Sequence, residues 1–128
     1  MPLSIFTLLS VAVGGAIGAV SRYLVYVTVA RTIGTGFPLA TLVVNIAGSF
    51  VMGAFVELSA TRLQVTPEVR SLIAVGLLGA FTTFSTFSLD VVVLYERGRH
   101  LSAAAYVLMS VVFCIAALGL GMAAFRRL

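Results

Sequence analysis

The sequence predicts an all-α membrane protein of four transmembrane helices, with helix 3 broken near mid-membrane and the chain paired as an antiparallel, dual-topology dimer. Three observations carry this expectation. Only 9% of the 128 residues are charged and 61% are hydrophobic, where a soluble domain carries about 25% charged residues. The mean hydropathy is +1.18. Four apolar runs each exceed the roughly 20 residues that cross a bilayer's hydrocarbon core as a helix, and the arginines divide almost evenly between the two sides those helices define.

The runs lie at about Leu3 to Val29, Phe37 to Ala60, Val69 to Tyr95 and Leu101 to Phe125. All of 1–128 reads as one transmembrane domain. No positive residue precedes the first run, so it reads as a span and not as a signal peptide. The linkers Arg31 to Gly36, Thr61 to Glu68 and Glu96 to His100 carry the breaking residues. Pro38 and Pro67 suit the first turns of helices 2 and 3. Linkers this short make sequential helices antiparallel neighbours. Small residues recur at Gly14, Gly15 and Gly18 and at Gly119, Gly121 and Ala123; they read as close helix packing in lipid.

The net charge of +4 comes from eight Arg and four acids, without Lys. A nucleic-acid surface would cluster those arginines on one face. Here they stand singly or in pairs where apolar runs end, so no nucleic-acid partner is expected and lipid is. The side shared by the termini and the second linker holds Arg62, Arg70, Arg126 and Arg127. The other holds Arg31, Arg97 and Arg99, with Arg22 if it faces that end. Lys/Arg asymmetry orients membrane proteins, and this chain has almost none. Insertion both ways up follows, and with it an antiparallel homodimer. The single Cys114 excludes a disulfide framework, and the lone His100 reads as a solvated loop residue.

Polar groups inside spans are expensive and mark ion or substrate paths. On helix 2, Thr41, Asn45 and Ser49 share a face by i, i+4, i+8 spacing. On helix 4, Ser102, Tyr106, Ser110 and Cys114 do the same. Helix 3 holds Gly79-Ala-Phe-Thr-Thr-Phe-Ser-Thr-Phe-Ser88, with five hydroxyls, Thr83 and Ser85 among them, and three Phe. Gly79 and the β-branched Thr82-Thr83 form a weak point, and a helix broken there frees carbonyls that suit a cation such as Na⁺. Phe84 and Phe87 share a face, and their positive ring edges attract an anion. Together these groups favour a small, strongly hydrogen-bonding anion. Arg22 either draws anions into a vestibule or snorkels to the headgroups. Asp90 either pairs with an Arg or reaches the interface.

These residues resemble the Fluc family of fluoride channels, also called CrcB proteins. The likeness runs over the whole layout, through Gly18-Ala-Val-Ser-Arg22, Thr41-Leu-Val-Val-Asn45-Ile-Ala-Gly48, Gly79 to Ser88, and Glu96-Arg-Gly-Arg99 with Tyr106. The Thr82-Thr-Phe-Ser-Thr-Phe-Ser88 string is the most specific. The resemblance implies antiparallel dimers with two pores that let F⁻ leave the cytoplasm passively through the bacterial inner membrane. It gives Phe84 and Phe87 to the fluoride, Asn45 to donation and support, and Thr41, Tyr106 and Ser110 to a polar track. Arg22 falls at a vestibule, and the Gly79 and Thr82 carbonyls of both subunits hold one structural Na⁺ at the dimer centre. Departures are Ala40 and Ala80, where glycines are usual, and Cys114, where a hydroxyl is usual. A thiol is the weaker donor.

Three other classes fit less well. A proton-coupled small-multidrug or quaternary-cation exporter also has four helices but needs an acid within a span; helix 1 has none, and only Asp90 is arguable. An enzyme needs a nucleophile with a base, or metal ligands, and none is evident. A structural subunit leaves the three polar stripes without a purpose.

Overall fold

Ser4 begins the first helix by a reciprocal cap. Its hydroxyl accepts the Thr7 N–H at 3.1 Å and its own N–H donates to Thr7 Oγ1 at 3.1 Å, which satisfies two of the donors a helix start leaves open. The computed structural model describes residues 3–126; Arg127, counted above in the charge balance, lies outside the described residues. Helix α1 (Ile5–Thr32) ends before Gly34, whose φ of +100° turns the chain back. Helix α2 (Leu39–Thr61) starts directly after Pro38. Thr66 caps the third span with Pro67 in its first position, where a missing N–H is no loss.

That span, Pro67–Glu96, is not uniform. It runs as α3 (Pro67–Arg70), a π-helical stretch (Ser71–Leu78) and α4 (Gly79–Phe81). Thr82 and Thr83 are extended, with ψ of 160° and 123°. Helix α5 (Phe84–Glu96) follows, capped by the Thr83 hydroxyl, which accepts the Thr86 N–H at 3.2 Å. Gly98, at φ +76°, turns the chain into α6 (His100–Arg126). The four spans are long and apolar enough to cross a membrane, and regular structure among the described residues is entirely helical.

The helices associate mainly as two close pairs, α1 with the π-helical stretch and α2 with α6. Lipid tails give no hydrophobic drive between helices, so backbones must approach closely. A Cβ at Gly18 would stand 2.1 Å from the Leu77 carbonyl oxygen, and one at Gly121 would stand 2.2 Å from that of Phe50. Gly14 meets Leu72 in the same way, whereas Gly15 and Gly119 have nothing within 4 Å. Only some of the small residues in each stripe therefore face a neighbour.

A buried cluster of Leu42, Phe87, Leu94, Ala103 and Tyr106 ties α2, α5 and α6 together. Beyond it, Leu101, Ile115 and Leu120 stand exposed, as lipid-facing side chains do. Glu57, buried on α2, receives Arg126 of α6 at 3.3 Å. In the loops, the Arg99 guanidinium donates to the Gly36 carbonyl.

Candidate functional site

The site begins where the third span leaves helical geometry. In a continuous helix the Thr83 N–H would donate to the Gly79 carbonyl, four residues back. It donates instead to Asn45 Oδ1 at 2.8 Å, and Asn45 Nδ2 donates to the Thr83 carbonyl at 3.0 Å. The amide of α2 thus takes over both backbone groups of a residue that has left the helical ladder, which would otherwise be costly in an apolar surround. Gly48, one turn along α2, makes room for this: a Cβ there would lie 2.2 Å from Thr82 Cγ2. The Thr82 hydroxyl donates back to Leu78 O at 2.9 Å.

Around this exchange lies a cavity of about 380 Å³, lined by Asn45, Ser49, Thr83, Phe84, Phe87 and Ser110 among others. Ser110 is 7% exposed, and its Oγ has no hydrogen-bond partner among the described residues. A buried hydroxyl left this way calls for a guest or a water. Phe84 and Phe87 stand with ring centroids 5.4 Å apart and planes tilted by 51°.

A second cavity, of about 420 Å³, opens between α1, α2 and α5 and is lined by Tyr26, Phe37, Thr41, Asp90 and Arg97 among others. Two hydrogen bonds organise its polar wall. Tyr26 and Thr41 share one between their hydroxyls at 2.6 Å, and Tyr106 OH donates to Asp90 Oδ2 at 3.0 Å. Tyr106 is fully buried, and its ring joins the two regions. It meets Phe37 edge-on at 5.5 Å and Phe87 at 5.1 Å.

The structure therefore gathers Asn45, Thr83, Phe84, Phe87 and Ser110 around one cavity and puts Thr41 on the other. Ser85 is exposed and reaches only Thr83 Oγ1, at 3.4 Å. Arg22, half-buried on α1, lines neither cavity. Asp90 makes no salt bridge to an Arg among the described residues; its carboxylate accepts the hydrogen bond of the buried Tyr106 hydroxyl instead. Tyr26 was passed over by the sequence reading. Its signal was a phenol within a span, one turn beyond Arg22 on the same helix face.

Chemically, the first cavity offers aromatic rings, hydroxyl-bearing residues and an amide, with no formal charge among the lining residues. Such a set suits an ion small enough to be held by hydrogen bonds and ring edges in place of water.

A family model described as "CrcB-like protein, Camphor Resistance (CrcB)" matches residues 9–122. Curated relatives match over most of their length. A "Fluoride-specific ion channel FluC" of Chelativorans sp. (strain BNC1) is 53% identical over 91% of this chain and 94% of its own. The protein of the same name from Agrobacterium fabrum is 53% identical over 92% and 94%. That from Hahella chejuensis is 48% identical over 97% and 98%.

Proposed function

The chain belongs to the CrcB-like family, and from that premise we propose that it is a fluoride-selective channel, exporting F⁻ passively from the cytoplasm across the bacterial inner membrane. The observation that carries this reading is the uncharged cavity around Asn45 and Phe84, on a chain about half identical to relatives named as fluoride-specific channels. A neutral lining asks an ion to trade its water for donors. Fluoride, small and strongly basic toward hydrogen bonds, gains most from hydroxyl and amide donors, and Ser110 of the cavity lining has a buried hydroxyl with no partner among the described residues. Phe84 and Phe87 offer ring edges there, and Asn45 offers its remaining amide proton. Thr41 and Tyr106 continue the polar line toward the second cavity, where Arg97 attracts anions. Arg22, Thr83 and Ser85 stay auxiliary on this reading.

The proposed assembly is an antiparallel homodimer with two pores. Balanced arginines support it, and so does Phe84, a pore ring that is 78% exposed in the single chain. The interruption at Thr82-Thr83 is then placed near mid-membrane, at the meeting of the two subunits. A structural Na⁺ fits the Gly79 and Thr82 carbonyls. The Thr83 N–H that would have covered the Gly79 oxygen goes to Asn45, and Thr82 is itself extended. Neutral oxygens so released are donors a hard cation takes. The ion would neutralise carbonyl dipoles and fix the break.

The experiment is efflux from proteoliposomes, followed with fluoride and chloride electrodes. Rapid, electrogenic F⁻ efflux without Cl⁻ efflux is the expected result. Cation-coupled proton flux without F⁻ efflux would replace this reading with the exporter.

A further inference from the structure

Asp90 is an acid within a span that the proposed channel leaves without a task. It stands half-buried on α5, and an ionised group within a span calls for a partner of opposite charge. Among the described residues the salt bridge is that of Glu57 with Arg126, and Asp90 has none. The Tyr106 hydroxyl, donating at 3.0 Å, shares the carboxylate's charge without balancing it. Asp90 lines the cavity of about 420 Å³, whose other lining residues include the aromatic Tyr26 and Phe37 and the aliphatic Val27, Leu39 and Val93. Phe37 and Asp90 are joined through one neighbour, since the Phe37 ring meets that of Tyr106 edge-on at 5.5 Å. We propose that this cavity binds a small organic monocation, a primary ammonium on a compact hydrocarbon body, with the ammonium on the Asp90 carboxylate and the body against the aromatic and aliphatic wall.

Size, charge and wall chemistry select the class. A water molecule's share of liquid volume is about 30 Å³, so a metal ion would leave most of the 420 Å³ unfilled. Metal sites also gather several ligands, and no group of three His, Cys, Asp or Glu that could hold a metal occurs among the described residues. An organic body suits walls that are mostly apolar with a few polar groups. Aromatic faces attract an ammonium, and its N–H donors give the carboxylate charge-assisted hydrogen bonds. A neutral guest would leave Asp90 unbalanced, and an anion there would be repelled. Arg97 caps α5 and lines the same cavity; from 90 to 97 the helix rises about 10 Å, so it marks the far end. A second positive charge on the guest would meet it there, which favours a monocation over a diamine. If the cavity leads into the fluoride path, the guest slows efflux; that consequence, unlike the binding itself, rests on the function proposed above.

The test titrates cyclohexylammonium into the purified full-length protein in detergent at neutral pH, where the amine is protonated, and follows binding by calorimetry. Saturable binding of one guest per chain is expected. Asp90→Asn, which keeps an acceptor for Tyr106 and removes the charge, should weaken it by at least about tenfold, and Asp90→Glu should restore it. Cyclohexanol, the same body without the charge, should show no saturable binding, and doubly protonated diaminocyclohexane should bind at least about tenfold more weakly. Val93→Phe narrows the cavity and leaves every charge in place; it should also weaken binding, and it decides the matter where Asp90→Asn does not fold. Binding by Asp90→Asn or by Val93→Phe equal to that of wild type overturns the site. Cyclohexanol bound as tightly as the amine overturns it too, as does a wild type without saturable binding. In proteoliposomes, each protein's F⁻ efflux with the amine is compared with its own untreated rate, and wild type should slow while Asp90→Asn keeps its rate. Binding that depends on Asp90 but leaves F⁻ efflux unchanged overturns the blocking role. The same binding to a protein that passes no F⁻ supports the site and overturns the channel.

Discussion

Asn45 and Thr83, 38 residues apart in sequence, exchange two hydrogen bonds, amide to carbonyl at 3.0 Å and backbone N–H to amide oxygen at 2.8 Å. Asn45 is thus both a wall of the cavity and the substitute partner for backbone that has left its helix. Asn45→Asp keeps the shape but sets a carboxylate oxygen against the Thr83 carbonyl, with no proton between them. A buried polar group left unsatisfied costs about 1–3 kcal/mol, and more when charged. The expected outcome is a clear fall in Tm, followed by circular dichroism in detergent, together with loss of F⁻ efflux. Asn45→Asp with wild-type Tm and flux would mean that the exchange carries neither role.

Phe84 and Phe87 separate structure from conduction. Phe84 is 78% exposed, and Phe87 only 9%. Phe84→Ile should therefore leave the chain's Tm and its elution from a sizing column near wild type, yet lower F⁻ efflux by at least about tenfold, the scale of one lost ion contact. Phe87→Ile should lower both flux and stability, because it also gives up the Tyr106 ring at 5.1 Å. An exposed apolar ring whose removal left flux intact would return Phe84 to a packing role.

Tyr106, fully buried, and Asp90, half-buried, form a hydroxyl–carboxylate pair at 3.0 Å. Tyr106→Phe leaves Asp90 without that donor, and Asp90→Ala removes the acceptor. The double variant should be no less stable than Tyr106→Phe alone, because the partner already lost cannot be lost again. A double-mutant cycle in Tm should give a coupling of about 1.5–3 kcal/mol, typical of a hydrogen bond to a charged group. Strict additivity would mean the pair contributes nothing.

What the sequence made legible was local. Four apolar runs, the caps at Pro67 and the breaking residues between runs follow from propensity and length, because each depends on near neighbours. The α2 and α6 stripes were also readable, since Asn45 and Ser110 repeat at helical spacing and both reach the cavity. The hidden relationships join residues far apart in sequence. Nothing near Thr83 says that its N–H goes to Asn45, and nothing near Asp90 names Tyr106 over an arginine. The π-helical stretch Ser71–Leu78 has no local signature either; it lies where α1 offers bare backbone at Gly14 and Gly18.

Glu57 and Arg126 pin the ends of α2 and α6 together at 3.3 Å, with Glu57 buried and the Arg126 side chain 61% exposed. Because the arginine is largely solvated, Arg126→Ala should cost only about 1 kcal/mol. Glu57→Gln, which keeps an acceptor and removes the charge, should cost less. Thermal melts of both variants at low and high salt check this; a salt-independent loss of several kcal/mol in Arg126→Ala would mark a desolvated pair instead.

Gly119 and Gly121 look alike in sequence, both small residues near the end of an apolar run, but they differ in what surrounds them. A Cβ at Gly121 would stand 2.2 Å from the Phe50 carbonyl oxygen and 3.0 Å from the Ala54 nitrogen, whereas one at Gly119 meets nothing within 4 Å. The obstacle at Gly121 is backbone, which cannot rotate aside as a side chain does. Gly121→Ala must therefore push α6 away from α2, one of the two close helix pairs, and give up packing that in lipid has no hydrophobic substitute. Gly119→Ala, by contrast, adds a methyl in open space and removes a residue that weakens helices by about 1 kcal/mol. The expected outcome is a lower Tm for Gly121→Ala and an unchanged or higher one for Gly119→Ala, compared in the same detergent. Equal losses in both would mean that α6 meets a neighbour on its Gly119 face as well.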